Sequence, residues 1–121
     1  ADFDTDGRVE AVVSAIGSKA MLLRNTTVNE NHWLAFKLQG TKSNRDGIGT
    51  RIKVTLNDGR TLYNHATTSV GYASSSERIV RFGLGSAREA QDVELFWPSG
   101  TVQKLQHVAA GRIIEIRESE K

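Results

Sequence analysis

Between Ile48 and Leu56 apolar and polar side chains alternate almost without interruption. Ile48, Ile52, Val54 and Leu56 fall on one face, and Arg51, Lys53 and Thr55 fall on the other. A period of two is the signature of a strand with one buried and one wet side. Asn57-Asp58-Gly59 follows directly, and these residue types tolerate the positive φ that a tight hairpin loop requires. The run Arg60 to Thr67 then returns, so residues 48–67 are expected to form a β-hairpin.

The rest of the chain repeats this pattern. Leu34, Phe36 and Leu38 share a face within the run 32–39, as do Val80, Phe82 and Leu84 within 79–84. Val93, Leu95 and Trp97 alternate with Asp92, Glu94 and Phe96. Pro98-Ser99-Gly100 marks a turn, because proline fixes φ and removes a ladder donor. Strands are expected over 101–108 and 112–117, with a helical turn near Ser86 to Ala90. Core packing is the expected role of Phe36, Phe82 and Trp97. The spacing predicts an all-β protein, an antiparallel β-sandwich or partly open barrel. Stretches 40–49 and 68–77 have the composition of surface loops.

Composition removes several function classes. The chain has 121 residues and no cysteine, which excludes thiol catalysis, disulfides and thiolate metal sites. Its formal charge is +2, with Lys and Arg scattered singly among acids rather than gathered into a phosphate-binding stripe. No nucleic-acid partner is expected. No apolar run approaches the roughly 18 residues of a spanning helix, so membrane insertion is not expected either. Gly47-Ile48-Gly49 and Gly83-Leu84-Gly85 lack the third glycine and the long helix of a dinucleotide site. His32, His65 and His107 are far apart, and Ser74-Ser75-Ser76 lies in no nucleophile elbow. A hydrolase would need a fold that joins a histidine, a carboxylate and a serine; the expectation is a non-catalytic domain.

The first 25 residues differ from the rest. Asp2-Phe3-Asp4-Thr5-Asp6-Gly7-Arg8-Val9-Glu10 carries carboxylates at alternating positions. Asp2, Asp4 and Asp6 can converge on one hard cation if the loop wraps around it. Gly7 permits the turn, the Arg8 carbonyl offers a further oxygen, and Glu10 closes the site. Calcium suits such oxygen-rich, flexible ligation. The loop is not an EF-hand, because Val13 stands where the bidentate glutamate would be. The plainer alternative is a solvated acidic turn. Two apolar runs, Val9 to Ile16 and Ala20 to Leu23, then suggest a small strand-turn-strand unit. The expected division is 1–28 for this unit and 29–121 for the main β domain.

The order of four motifs carries a resemblance. Asn31-His32-Trp33-Leu34, Gly40-Thr41-Lys42-Ser43-Asn44-Arg45-Asp46-Gly47-Ile48-Gly49, Phe82-Gly83-Leu84-Gly85 and Trp97-Pro98-Ser99-Gly100 together resemble the ASPIC/UnbV domain. The acidic loop with Leu22-Leu23-Arg24-Asn25 looks like the end of an FG-GAP/VCBS repeat, a calcium-binding propeller unit. The chain departs from the family pattern near Ser74-Ser75-Ser76, where a glutamine is expected.

The resemblance implies a carboxy-terminal accessory module on an integrin-α-like propeller, cut from a larger parent. It implies a secreted or cell-surface setting, extracellular or periplasmic, with adhesion or surface binding to a protein or glycan partner. A carbohydrate-binding module is the alternative, with Tyr63 and Tyr72 as its ligand-contacting aromatics. Self-association through the severed propeller face, residues 9–24, is a further expectation.

Overall fold

Apolar faces of period two need a second layer to bury them, and in this chain two sheets supply one another. The computed structural model describes residues 1–120, and eleven strands form among them. Two short ones, β1 (Ala11–Val13) and β2 (Met21–Leu23), make an isolated ribbon near the amino end. The main body uses β3 (His32–Gln39), β4 (Arg51–Leu56), β5 (Thr61–His65), β8 (Ile79–Gly85), β9 (Glu89–Phe96), β10 (Val102–Ala109) and β11 (Arg112–Arg117). The remaining pair, β6 (Ser69–Gly71) and β7 (Ser74–Ser75), is a minor hairpin within the 66–78 connection.

The architecture is a β-sandwich and not a closed barrel. One sheet has the order β10-β9-β4-β5 and the other β11-β3-β8. Leu34, Phe36 and Leu38 of β3 meet Ile52, Val54 and Leu56 of β4 across the middle layer, all buried. Val80, Phe82 and Leu84 extend the first layer, and Val93, Leu95 and Trp97 extend the second. Phe36 and Phe82 pack edge-to-face at a centroid distance of 5.9 Å. Each such fully buried side chain contributes about 1.5–3 kcal/mol of hydrophobic stabilisation.

Three local expectations are corrected. Ile48 does not extend the first hairpin strand, because Gly47 and Gly49 both have positive φ and break the extended backbone there. The strand starts at Arg51 and the hairpin closes over 51–65. No helical turn forms at Ser86 to Ala90: Gly85 turns the chain with φ 62° and β9 is extended from Glu89. Finally, β11 runs parallel to β3, whereas every other described strand pair is antiparallel. The chain leaves β10 in one sheet and enters β11 in the other through Ala110 and Gly111. Gly111, with φ 77°, donates its N–H to the Trp33 carbonyl at 2.7 Å. That crossing, rather than a hairpin, delivers β11 alongside β3.

Candidate functional site

The acidic loop closes on itself. The Glu10 amide donates to the Ala1 carbonyl at 2.8 Å, and the Ala1 amine donates to the Glu10 carbonyl at 3.2 Å. Inside, the Phe3 amide donates to Glu10 Oε2 at 3.0 Å and the Gly7 amide to Asp2 Oδ2 at 3.0 Å. These bonds turn Asp2 and Glu10 inward, while Asp4 stays exposed at the rim. Asp2, Asp4 and Glu10 each present a carboxylate oxygen, and the three oxygens lie within 4.8 Å of one another.

Asp6 is employed differently. Its carboxylate accepts from the Arg8 amide at 2.8 Å and pairs with the Arg8 guanidinium. The Arg8 amide bond, outweighing burial, holds the Asp6 carboxyl below its ordinary range. Asp4 is paired with Arg24 at 2.9 Å, which ties the loop to the end of β2.

Two oxygens of these acids have no partner among the described residues. Asp2 Oδ1 and Glu10 Oε1 are both buried without a hydrogen bond. The Asp2 side chain is 0% exposed and Glu10 is 5% exposed. Carboxylates held this close repel one another, and a buried polar atom without a partner is costly. A hard divalent cation relieves both penalties at once. The donor set fits calcium, which takes about six to eight oxygens in flexible geometry. Asp2, Asp4 and Glu10 would supply carboxylates, with backbone carbonyls or water completing the shell.

The loop is seated on the sandwich. On the outer face of β3 and β8, Arg81 stacks over Trp33 with its guanidinium carbon 5.5 Å from the ring centroid. Arg81 reaches Asp2 Oδ2 at 3.4 Å from one side and pairs with Glu77 from the other. Gly7 lies directly against the Trp33 indole. The amino-terminal unit and the main domain are thus joined through Asp2, Gly7, Trp33 and Arg81.

A second polar centre organises the motif-bearing loops. Glu118, 2% exposed, accepts backbone N–H bonds from Thr41, Lys42 and Ser43 on Oε2 at 2.8, 2.9 and 2.8 Å. Its other oxygen accepts hydroxyls from Ser43, at 2.9 Å, and from Ser99. Burial alone would raise this carboxyl. The Ser99 hydroxyl and the Ser43 and Thr41 amides outweigh it, and the group is held at about 2. Gly47 packs beneath Trp97, whose indole donates to Gln103 at 3.1 Å. Asn44 locks the loop by bonding both the N–H and the C=O of Ile48. Asp46 pairs with Arg78 at 2.8 Å. The Gly40–Gly49 loop and the Trp97–Gly100 turn are therefore bound to one another through the carboxylate of Glu118, a residue the sequence analysis did not single out.

The two tyrosines lie apart in role. Tyr63 on β5 is 74% exposed and borders an open concavity of about 510 Å³ on the outer face of the four-stranded sheet. Phe96, Arg51, Lys53 and His65 share that concavity. Tyr72 is fully exposed in the β6–β7 turn and does not line it.

The fold and its loops define a small two-layer β domain locked around a buried glutamate. The description "ASPIC and UnbV" matches residues 40–121, and the chain belongs to that family, which is associated with FG-GAP-containing proteins. Among curated proteins, none matches the chain.

Proposed function

We propose that the chain is a non-catalytic interaction module attached to a calcium-binding propeller, working in adhesion or surface binding outside the cytoplasm. Two observations carry this reading: Asp2, Asp4 and Glu10 each bring a carboxylate oxygen within 4.8 Å of the others, and Asp2 Oδ1 and Glu10 Oε1 are buried without a hydrogen bond among the described residues. A site of this kind acts as a joint. Calcium fixes the acidic loop, and the loop is already fastened to the sandwich through Trp33 and Arg81. A propeller continuing from this unit would then hold the sandwich in a defined orientation, as a surface-binding module needs. Extracellular calcium modules work at roughly 10⁻⁴–10⁻³ M, which suits a secreted or cell-surface setting.

The apolar ribbon of β1 and β2 supports a further element of this reading, namely that it covers itself by self-association. Its six strand residues are all exposed.

Isothermal titration of calcium into chelator-treated protein tests the main reading, beside an Asp4→Asn variant. Saturable binding of one ion, weakened at least about tenfold in the variant, supports it. Absence of binding reduces residues 2–10 to a structural clamp.

A second reading, glycan binding, is favoured by one observation. Tyr63 stands exposed over an open, partly apolar depression on the sheet face that Phe96 also lines.

A further inference from the structure

Strand register places the outward side chains of the four-stranded sheet in rungs. Arg51 on β4 stands opposite His65 on β5 and Phe96 on β9. Two residues along, about 7 Å away, Lys53 stands opposite Tyr63 and Glu94, and Glu94 opposite Lys104. The third rung carries Thr61, Thr55, Asp92 and Gln106. Aromatic and cationic groups thus gather at one end of the face and the acidic group Asp92 at the other.

The charges along the face are unequally satisfied. Glu94 is neutralised twice, by Lys104 at 2.7 Å and by Lys53 at 2.9 Å. Asp92 accepts from Gln106 at 3.1 Å. The Arg51 guanidinium has no hydrogen bond or ion pair among the described residues. Its guanidinium carbon sits 5.7 Å from the Phe96 ring centroid. Stacking uses the flat face of a guanidinium and leaves its N–H edge free for a planar anion. The imidazole of His65 also makes no hydrogen bond among the described residues. None of the residues lining the concavity carries a carboxylate.

We propose that this concavity binds an acidic oligosaccharide, with a pyranose ring against Tyr63 and a uronate carboxylate on Arg51. The proposal rests on the glycan reading above and gives it a ligand class. An exposed tyrosine ring offers an apolar platform to the C–H face of a sugar. The neighbouring unpaired guanidinium offers the paired donors that a carboxylate prefers. The volume of about 510 Å³ lies within the range of small-ligand sites. An acidic peptide fits less well, because the usual peptide mode adds a strand to a sheet edge. The β5 edge beside the concavity is approached by β8, and Asn64 donates across to the Arg81 carbonyl at 3.0 Å.

The test is a calorimetric and amide-shift titration of the whole chain with a short oligogalacturonate, a neutral galactose oligomer and poly-glutamate. Arg51→Gln and Tyr63→Ala are run alongside, each at an exposed position and each checked for its fold by circular dichroism. The expected result is saturable binding of oligogalacturonate with shifts at residues 51–53, 63–65 and 96. Each variant should weaken it about 10- to 100-fold, the scale of one charge-assisted contact. The neutral oligomer should bind at least about tenfold more weakly than the acidic one. Equal binding of the neutral oligomer overturns the acidic assignment while leaving the glycan reading standing. No binding of either sugar overturns both. Equal binding of poly-glutamate makes the face a peptide site, and binding unchanged in both variants places the site elsewhere; either result overturns the proposal.

Discussion

Gly7 and Trp33 are in such close apposition that a β-carbon on Gly7 would lie 1.8 Å from the indole nitrogen. Gly7 also has φ 90°, a conformation that disfavours any side chain. This contact, together with the Asp2–Arg81 pair, is what turns a flexible acidic segment into part of the sandwich surface. Gly7→Ala should therefore lift the loop from Trp33 at a local cost above about 1 kcal/mol. The buried core is untouched, so cooperative unfolding should persist. Tryptophan emission should shift to the red as Trp33 gains solvent, while Trp97 stays buried. An unchanged emission spectrum would mean that the loop does not depend on this contact.

Glu118 predicts an acid-sensitive fold. Its folded value of about 2 lies below the ordinary 4.5, so the ionised group contributes stability in full above pH 4.5. That contribution is lost as pH falls from about 4.5 to about 2. Glu94, held at about 2 chiefly by Lys104 and Lys53, titrates in the same window. Glu118→Gln should lower the thermal midpoint at pH 7, since it removes the negative charge that three amides and two hydroxyls converge on. The gap between variant and parent should narrow steadily towards pH 2. Thermal melts across this range check it, and a gap independent of pH would sink the assignment.

The centre of the sandwich sets the scale of overall stability. Phe36 is fully buried against Phe82, with neighbours from both sheets. Phe36→Ala removes its transfer energy and leaves a cavity, a loss of about 3–5 kcal/mol. A domain of this size is stable by only about 5–15 kcal/mol. Urea unfolding should show a much earlier midpoint, and a shift worth less than about 1 kcal/mol would contradict the packing described.

The strands were legible because a sheet with one wet face writes its pleat into the chain. The run at Arg112–Arg117 and the faces Leu34/Phe36/Leu38 and Val80/Phe82/Leu84 appear as the alternation predicts. What alternation lacks is any record of which strand lies beside which. The parallel pairing of β11 with β3 is fixed by a crossing at Gly111, and no local pattern announces it. Ile48 reads as a strand residue until the two flanking glycines adopt positive φ.

The candidate site was partly legible for a similar reason. Alternating acids brought attention to residues 2–10, and Asp2, Asp4 and Glu10 do meet. Asp6 is captured by Arg8 two residues on, a local competition of the kind short acidic side chains often enter. Glu118 left no signal, since its amide donors lie 75 to 77 residues away in sequence. A lone glutamate near the end of a strand looks like any surface acid until the loop that surrounds it is in place.

The ribbon of β1 and β2 carries the last prediction. Val12 stands opposite Leu22, and Ala11 and Val13 stand opposite Leu23 and Met21, so both faces of the ribbon are apolar. A two-stranded ribbon is at best marginal alone, and one that exposes apolar residues on both faces gains from being covered. If the ribbon associates with itself, light scattering should show a mass that rises with protein concentration. The double variant Val12→Glu, Leu22→Lys should abolish that rise. Its two charges sit directly opposite one another and favour the hairpin pairing, so lost association would not reflect a lost ribbon. Calcium titration of the same variant should still detect the Asp2, Asp4 and Glu10 site, because those acids lie outside the ribbon. A parent chain that stays monomeric at high concentration would remove self-association from the account and leave the ribbon to some other covering surface.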